Sequence, residues 1–249
     1  MKYSICIDAV CRGLDSVDAL DKVKAAGFKA FEFWQWTTRD LDALKKKADA
    51  LGLSCVSFSG GAQLTDPKTR DMWIEGLKDT VNAVKKMGSS HITITVGDDT
   101  GAVRRFQHRS IVDSLKAAAP IFEKNNIIML LEPINGRLDH IGTYLESSDE
   151  AFEIIDEVGS KNLKMLFDIY HQQITEGDII RRMTSRIKDI GHVHSAGSIN
   201  RLELDIGELD YRRIFAALDE AGYDGYAGLE YLPTGDSLAS LKRMYDYLQ

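Results

Sequence analysis

Proline is scarce in this chain, with four residues in 249, and cysteine is scarcer, with three. No stretch is rich in proline or serine, which is the usual composition of a linker, so one domain over residues 1–249 is expected. Cys6, Cys11 and Cys55 form no CxxC pair, and any pairing scheme leaves one thiol over. Reduced, partly buried thiols are the expectation, as in a cytoplasmic protein. No apolar run approaches the roughly 18–20 residues that cross a bilayer, which removes a membrane-spanning role. The N-terminal MKYSICIDAV contains Asp8 and lacks the charged-then-apolar layout of a signal peptide, so cytoplasmic residence is expected.

An excess of positive charge is missing as well. Lys and Arg number 31 against 38 Asp and Glu, a formal net charge of −7. Such a surface repels phosphate backbones, so neither nucleic acid nor a membrane is an expected partner. The GxGxxG turn of dinucleotide-binding sheets is absent. Ser59-Gly60-Gly61-Ala62 lacks the Lys-Ser/Thr of a P-loop and is expected to form a tight turn on the active-site side.

What the chain does have is a regular alternation of short apolar runs and longer amphipathic segments. Eight runs read as strands: Tyr3–Asp8, Lys29–Phe33, Ser54–Phe58, His91–Val96, Ile127–Glu132, Leu163–Asp168, Gly191–His194 and Tyr226–Glu230. Near-continuous apolar strands suit a parallel sheet buried on both faces. Helices are predicted over Asp15–Ala26, Thr38–Leu51, Pro67–Met87, Arg104–Lys124, Ser148–Val158, Gly177–Arg186, Tyr211–Ala221 and Ser237–Tyr247, with Ser16 as N-cap of the first. Glycines such as Gly27, Gly52, Gly88 and Gly222 close helices at the entry to the next strand. Eight such units, in about the usual length of about 250 residues, predict an α/β fold, a single (β/α)8 TIM barrel.

In a barrel of this kind the chemistry sits where the strands end. The fifth, sixth, seventh and eighth strands end in Glu132, Asp168, His194 and Glu230. One charged residue after a strand is commonly the edge of solvent, but four on adjacent strands point to one site. Three carboxylates converging in a barrel mouth repel one another unless a cation lies between them. The oxygen-rich set favours one divalent metal ion, Mn2+ or Mg2+, with Co2+ or Zn2+ as alternatives. Of the two histidines of the seventh strand, His194 is expected to face the interior and His192 the helical layer. His171 is expected in the loop after Asp168, in reach of a substrate oxygen or of Asp168. Arg201, in the small-residue loop after the seventh strand, could hold a carboxylate or phosphate by a two-pronged contact. Trp34, with Trp36, could wall the pocket against water.

At these residues the chain resembles the xylose isomerase-like barrel superfamily, and more closely its hydroxypyruvate isomerase-like branch. The similarity is densest in Leu131-Glu132-Pro133-Ile134-Asn135, in Phe167-Asp168-Ile169-Tyr170-His171-Gln172-Gln173-Ile174, in Gly191-His192-Val193-His194-Ser195-Ala196-Gly197, and from Gly207-Glu208-Leu209-Asp210-Tyr211 to Leu229-Glu230-Tyr231. The resemblance implies Glu132, Asp168, His194 and Glu230 as metal ligands, Glu132 and Glu230 as the acid/base pair, and His171 and Arg201 as substrate contacts. It implies an isomerase or epimerase of a small hydroxy-carbonyl compound, either a hydroxypyruvate-like oxo acid or a ketose.

The chain departs from that branch in three places. Glutamine commonly stands at the position of His194, an Arg-His-Glu-Pro-like stretch at Arg201-Leu202-Glu203-Leu204, and arginine at Leu232. Histidine at 194 is more like the ketose 3-epimerases. A metal-dependent dehydratase of the same superfamily and a non-catalytic sugar-binding barrel are the alternative readings. A DNA-repair endonuclease of this barrel type would need about three zincs and more histidines at the second to fourth strand ends, where this chain has Phe33, Ser57-Phe58 and Thr95. A homo-oligomer is left open, since no interface is legible.

Overall fold

The computed structural model describes residues 1–198 and 200–249. Eight parallel strands close into a barrel in sequence order. They are β1 (Lys2–Cys6), β2 (Ala30–Gln35), β3 (Ser54–Ser59), β4 (His91–Ile94), β5 (Ile128–Leu131), β6 (Leu163–Asp168), β7 (Ile190–Ser195) and β8 (Tyr226–Leu229). Closure comes from β8 pairing with β1, where Ser4 stands beside Gly228. Each strand carries a residue withdrawn from solvent, among them Ile5, Phe31, Phe58, Ile92, Leu131, Phe167, Val193 and Leu229. The (β/α)8 barrel expected from the alternation is therefore the observed fold.

The helices predicted between the strands are present: α2 (Ser16–Ala25), α3 (Leu41–Leu51), α4 (Arg70–Met87), α5 (Arg104–Lys124), α6 (Ser148–Val158), α8 (Ile179–Ser185), α9 (Tyr211–Glu220) and α10 (Ser237–Tyr247). Each longer helix turns an apolar stripe to the sheet, as α4 does with Trp73, Leu77, Val81 and Val84. Gly52 and Gly88 end α3 and α4 at φ 65° and 69°, a left-handed turn that glycine takes without strain.

Four expectations change. The first strand stops at Cys6, and Ile7–Val10 coil into a short helix, α1, that turns the Asp8 carboxylate back to accept the Trp34 amide at 2.6 Å. The cap of α2 is Asp15, which accepts the Val17 amide at 2.8 Å, in place of Ser16. An added helix, α7 (Ile169–Thr175), follows β6 directly, so His171 lies in a helical first turn and not in a loop. Gly60 and Gly61 do not make a tight turn; the chain runs on beside β4, with Gly60 N bonded to Thr93 O and Ala62 N to Thr95 O. A Cβ on Gly61 would lie 2.4 Å from Thr95 Oγ1, so the close approach of the two backbones is what requires glycine.

All three cysteines are free and buried, as expected. No helix among the described residues is long and apolar enough to cross a membrane.

The barrel wall makes one stability prediction. Phe167 is fully buried in β6, and Phe167→Ala should cost about 3–5 kcal/mol through lost burial and the cavity left behind. Urea denaturation monitored by far-UV circular dichroism measures this, and a loss below about 1 kcal/mol would mean that the wall can collapse around the gap.

Candidate active site

Strand register brings the expected site residues together. Asp168 stands beside His194 across the β6–β7 pair, and His194 beside Gly228 across β7–β8. Glu132 and Glu230 follow directly on the last residues of β5 and β8. Glu132, Asp168, His194 and Glu230 are all buried, and each offers a ligand atom within 4.8 Å of the others. The four strand-end residues predicted from the sequence therefore form one cluster.

Three carboxylates this close need positive charge. His194 Nδ1 lies 3.1 Å from Glu230 Oε2 and 3.5 Å from Glu132 Oε1. Arg201 Nη2 bonds both Glu230 Oε2 and Asp168 Oδ2, the latter at 3.1 Å, and Arg201 Nε donates to the Glu230 carbonyl. The indole N–H of Trp34 donates to Glu230 Oε1. Burial alone raises the proton affinity of a carboxylate, and it does so for Glu132. At Glu230 burial pulls the same way, but the charges of His194 and Arg201 outweigh it and hold this carboxyl well below its ordinary range. Burial would lower His194, yet Glu230 and Glu32 raise it well above an ordinary imidazole.

These residues fit a divalent cation. Both ring nitrogens of His194 are buried without a hydrogen-bond partner, although carboxylates surround them. One imidazole nitrogen with three carboxylates is the donor set of a hard or borderline metal ion.

The expected substrate contacts line the same cavity, of about 560 Å3, together with Arg12, Ser57, Thr95, Asp139, His140 and Leu232. Trp34 is 43% exposed and forms part of its wall. His171 is buried at its floor. Arg201 sits in the left-handed region at φ 58°, a conformation that costs a non-glycine residue about 1–3 kcal/mol. Its Nη2 is turned to the protein's own carboxylates and its Nη1 to His171, so neutralising the cluster is its first job in this geometry.

Asn135 and Arg201 meet the two ring nitrogens of His171. The Asn135 carbonyl oxygen accepts the Leu138 and Asp139 amides, which turns its NH2 toward His171 Nδ1 at 2.6 Å. Arg201 Nη1, which can only donate, lies 3.1 Å from His171 Nε2, so a donor faces each ring nitrogen, and Nε2 is also 3.5 Å from Asp168 Oδ2.

His192 does not face the helical layer. Residues two apart on a strand share a face, so His192 and His194 both point inward, with ring centroids 5.0 Å apart. The partner of both is Glu32, fully buried on β2, with His192 Nε2 at 2.8 Å and His194 Nε2 at 3.3 Å. Burial would raise Glu32, but the two imidazoles outweigh it and bring its carboxyl down to about 2. Glu32 escapes a search of strand ends because it sits two residues inside an apolar strand. A lone carboxylate between Phe31 and Phe33 was the available signal.

Comparison with known proteins gives a consistent family. The model of a family described as xylose isomerase-like TIM barrel matches residues 20–247. The 2-oxo-tetronate isomerase of Cupriavidus necator is 33% identical over 242 residues, covering 92% of this chain and 93% of that protein. The hydroxypyruvate isomerase of Escherichia coli is 27% identical over 267 residues, covering 99% of each. Among solved structures, an AP endonuclease family 2 protein from Brucella melitensis superposes with a TM-score of 0.91 at 22% identity, covering 99% of this chain and 98% of that one, a likeness of fold.

The buried setting of His171 predicts its titration. Burial lowers its pKa from 6.5 to about 4, so the ring is neutral at pH 7. The folded protein then binds fewer protons here than the unfolded chain. The stabilisation from this residue is present above about pH 6.5 and is lost as pH falls toward 4. Histidine Cε1 proton shifts followed against pH should place its midpoint near 4; a midpoint near 6.5 would mean that the ring is solvated.

Proposed function

The chain belongs to the xylose isomerase-like TIM barrel family, and we propose that it is a metal-dependent isomerase or epimerase of a small hydroxy-carbonyl compound, either a hydroxypyruvate-like oxo acid or a ketose. The observation that carries this reading is the buried convergence of Glu132, Asp168, Glu230 and the unpartnered Nδ1 of His194 at the wall of a cavity of small-molecule size. The names of the relatives support the isomerase class. Reduced, buried cysteines fit a cytoplasmic enzyme.

Glu132, Asp168, His194 and Glu230 would hold the cation, Mn2+ or Mg2+ by the chemistry of the set, and when bound it would supply positive charge to the enediolate oxygens formed as the substrate loses a carbon-bound proton. The chain's own residues supply the rest. Glu230, kept ionised by His194 and Arg201, takes the proton from carbon. Glu132, whose proton affinity burial raises, carries a proton and returns it to the neighbouring carbon or to the other face of the same carbon. His171, on the wall of the same cavity, contacts a substrate oxygen. Arg201 keeps the carboxylates compatible with one another and turns its remaining N–H to an acidic substrate end. Trp34 positions Glu230 and limits water at the mouth.

Two experiments test this. A screen of small ketoses and hydroxy-oxo acids with added Mn2+ or Mg2+, read by proton NMR in D2O, should show deuterium entering at carbon without loss of water. Loss of water would identify a dehydratase, and sugar binding without turnover a binding barrel. On the substrate so found, Glu132→Gln and Glu230→Gln should fold normally and lose at least about a hundredfold in turnover. Excess EDTA should abolish activity. Near-full activity in either variant would sink the two-carboxylate scheme, and full activity in metal-free protein would sink the metal centre.

A further inference from the structure

Behind His194, on the side away from the carboxylate cluster, lies a second buried group that the proposed chemistry does not use. Glu32 Oε2 is bonded to His192 Nε2 at 2.8 Å. Glu32 Oε1 has no hydrogen-bond partner, and the nearby His194 Nε2 has none either. The two atoms face each other at 3.3 Å, not yet aligned for a hydrogen bond. The other nitrogen of the same ring, Nδ1, faces Glu230 and Glu132.

The barrel makes room for this contact. His194 stands beside Gly228 in the β7–β8 register. A Cβ on Gly228 would fall 1.9 Å from Glu32 Oε1 and 2.8 Å from His194 Cδ2. Any larger residue there would push the carboxylate off the imidazole. A packing role does not require this arrangement, since an apolar side chain would fill the same space without the cost of burying a carboxylate.

We propose that Glu32 is a positioning residue for the metal centre: buttressed by His192, its carboxylate accepts the Nε2 proton of His194 and so leaves the Nδ1 lone pair free for the cation. A neutral imidazole carries one proton, so fixing it on Nε2 fixes the ligand atom. A carboxylate behind a ligating imidazole also orients the ring and strengthens it as a donor. The role rests on the metal reading above.

The test measures Mn2+ and Co2+ affinity by chelator competition, and ions per chain by elemental analysis, for the wild-type protein, Glu32→Leu, Glu32→Gln and Gly228→Ala. Hydrogen-bonded imidazole N–H protons are read downfield in the metal-free protein. The wild type should bind one ion. Glu32→Leu and Gly228→Ala should bind it ten- to hundredfold more weakly while all four ligands remain, which is the usual range for such partners. Glu32→Gln should lose less, because its amide oxygen can still accept from His194 while its NH2 turns to His192. The downfield signals of the His192 and His194 Nε2 protons that face Glu32 should vanish in Glu32→Leu. If that variant does not fold, the other two decide.

Folded variants that bind metal as tightly as the wild type would overturn this role alone. Two ions in the wild type, with one lost from each Glu32 variant, would overturn it by making Glu32 a ligand with His192 and His194. A wild type that binds no cation would overturn the metal reading, and this role with it.

Discussion

Three carboxylates meeting at one buried point is the constraint on which the rest of this site depends. Two unit charges 4.8 Å apart repel by about 3.5 kcal/mol at an effective dielectric of about 20, and Glu132, Asp168 and Glu230 make three such pairs. The fold tolerates them because positive and donor groups are fixed around them: His194 from β7, Arg201 from the following loop and the Trp34 indole from the end of β2. A closed barrel is well suited to this, since its strands are rigid and their register sets which residues stand side by side.

The neutralising groups carry costs of their own. Arg201 accepts a left-handed backbone in order to reach both Asp168 and Glu230. Gly228 gives up a side chain so that Glu32 can stand against His194. His171 is held neutral in a setting that would otherwise add charge, between the Asn135 amide and the Arg201 guanidinium. None of these contributes to the core in the way that Phe167 or Leu131 does. Their common effect is a fixed set of oxygen and nitrogen donors, which is what a proton transfer next to a carbonyl requires.

One carboxylate, Glu32, stands outside this group and completes a chain from His192 through Glu32 to His194. Its place inside the barrel gives the site depth, with Glu132, Asp168 and Glu230 on one side of His194 and Glu32 on the other. The cavity is lined by this charged group together with Trp34, Phe33 and Phe58.

By itself the sequence determined the alternation of strands and helices, hence the barrel, because apolar runs and helical stripes are local patterns with fixed periods. It also determined the four strand-end residues, since a barrel places every strand end on one rim. It did not determine what lies between those ends. The interior position of His192 and its pairing with Glu32 join residues 160 apart, and only closure of the sheet through β1 and β8 brings β2 within reach of β7. The helix that carries His171 and the early end of β1 were decided by side-chain bonds from Asp168 and Asp8 to backbone amides, contacts that no periodicity records. The reach of Arg201 depended on a left-handed turn that its residue type does not announce. Local pattern fixes elements and their ends; long-range register and the geometry of single side chains fix the chemistry.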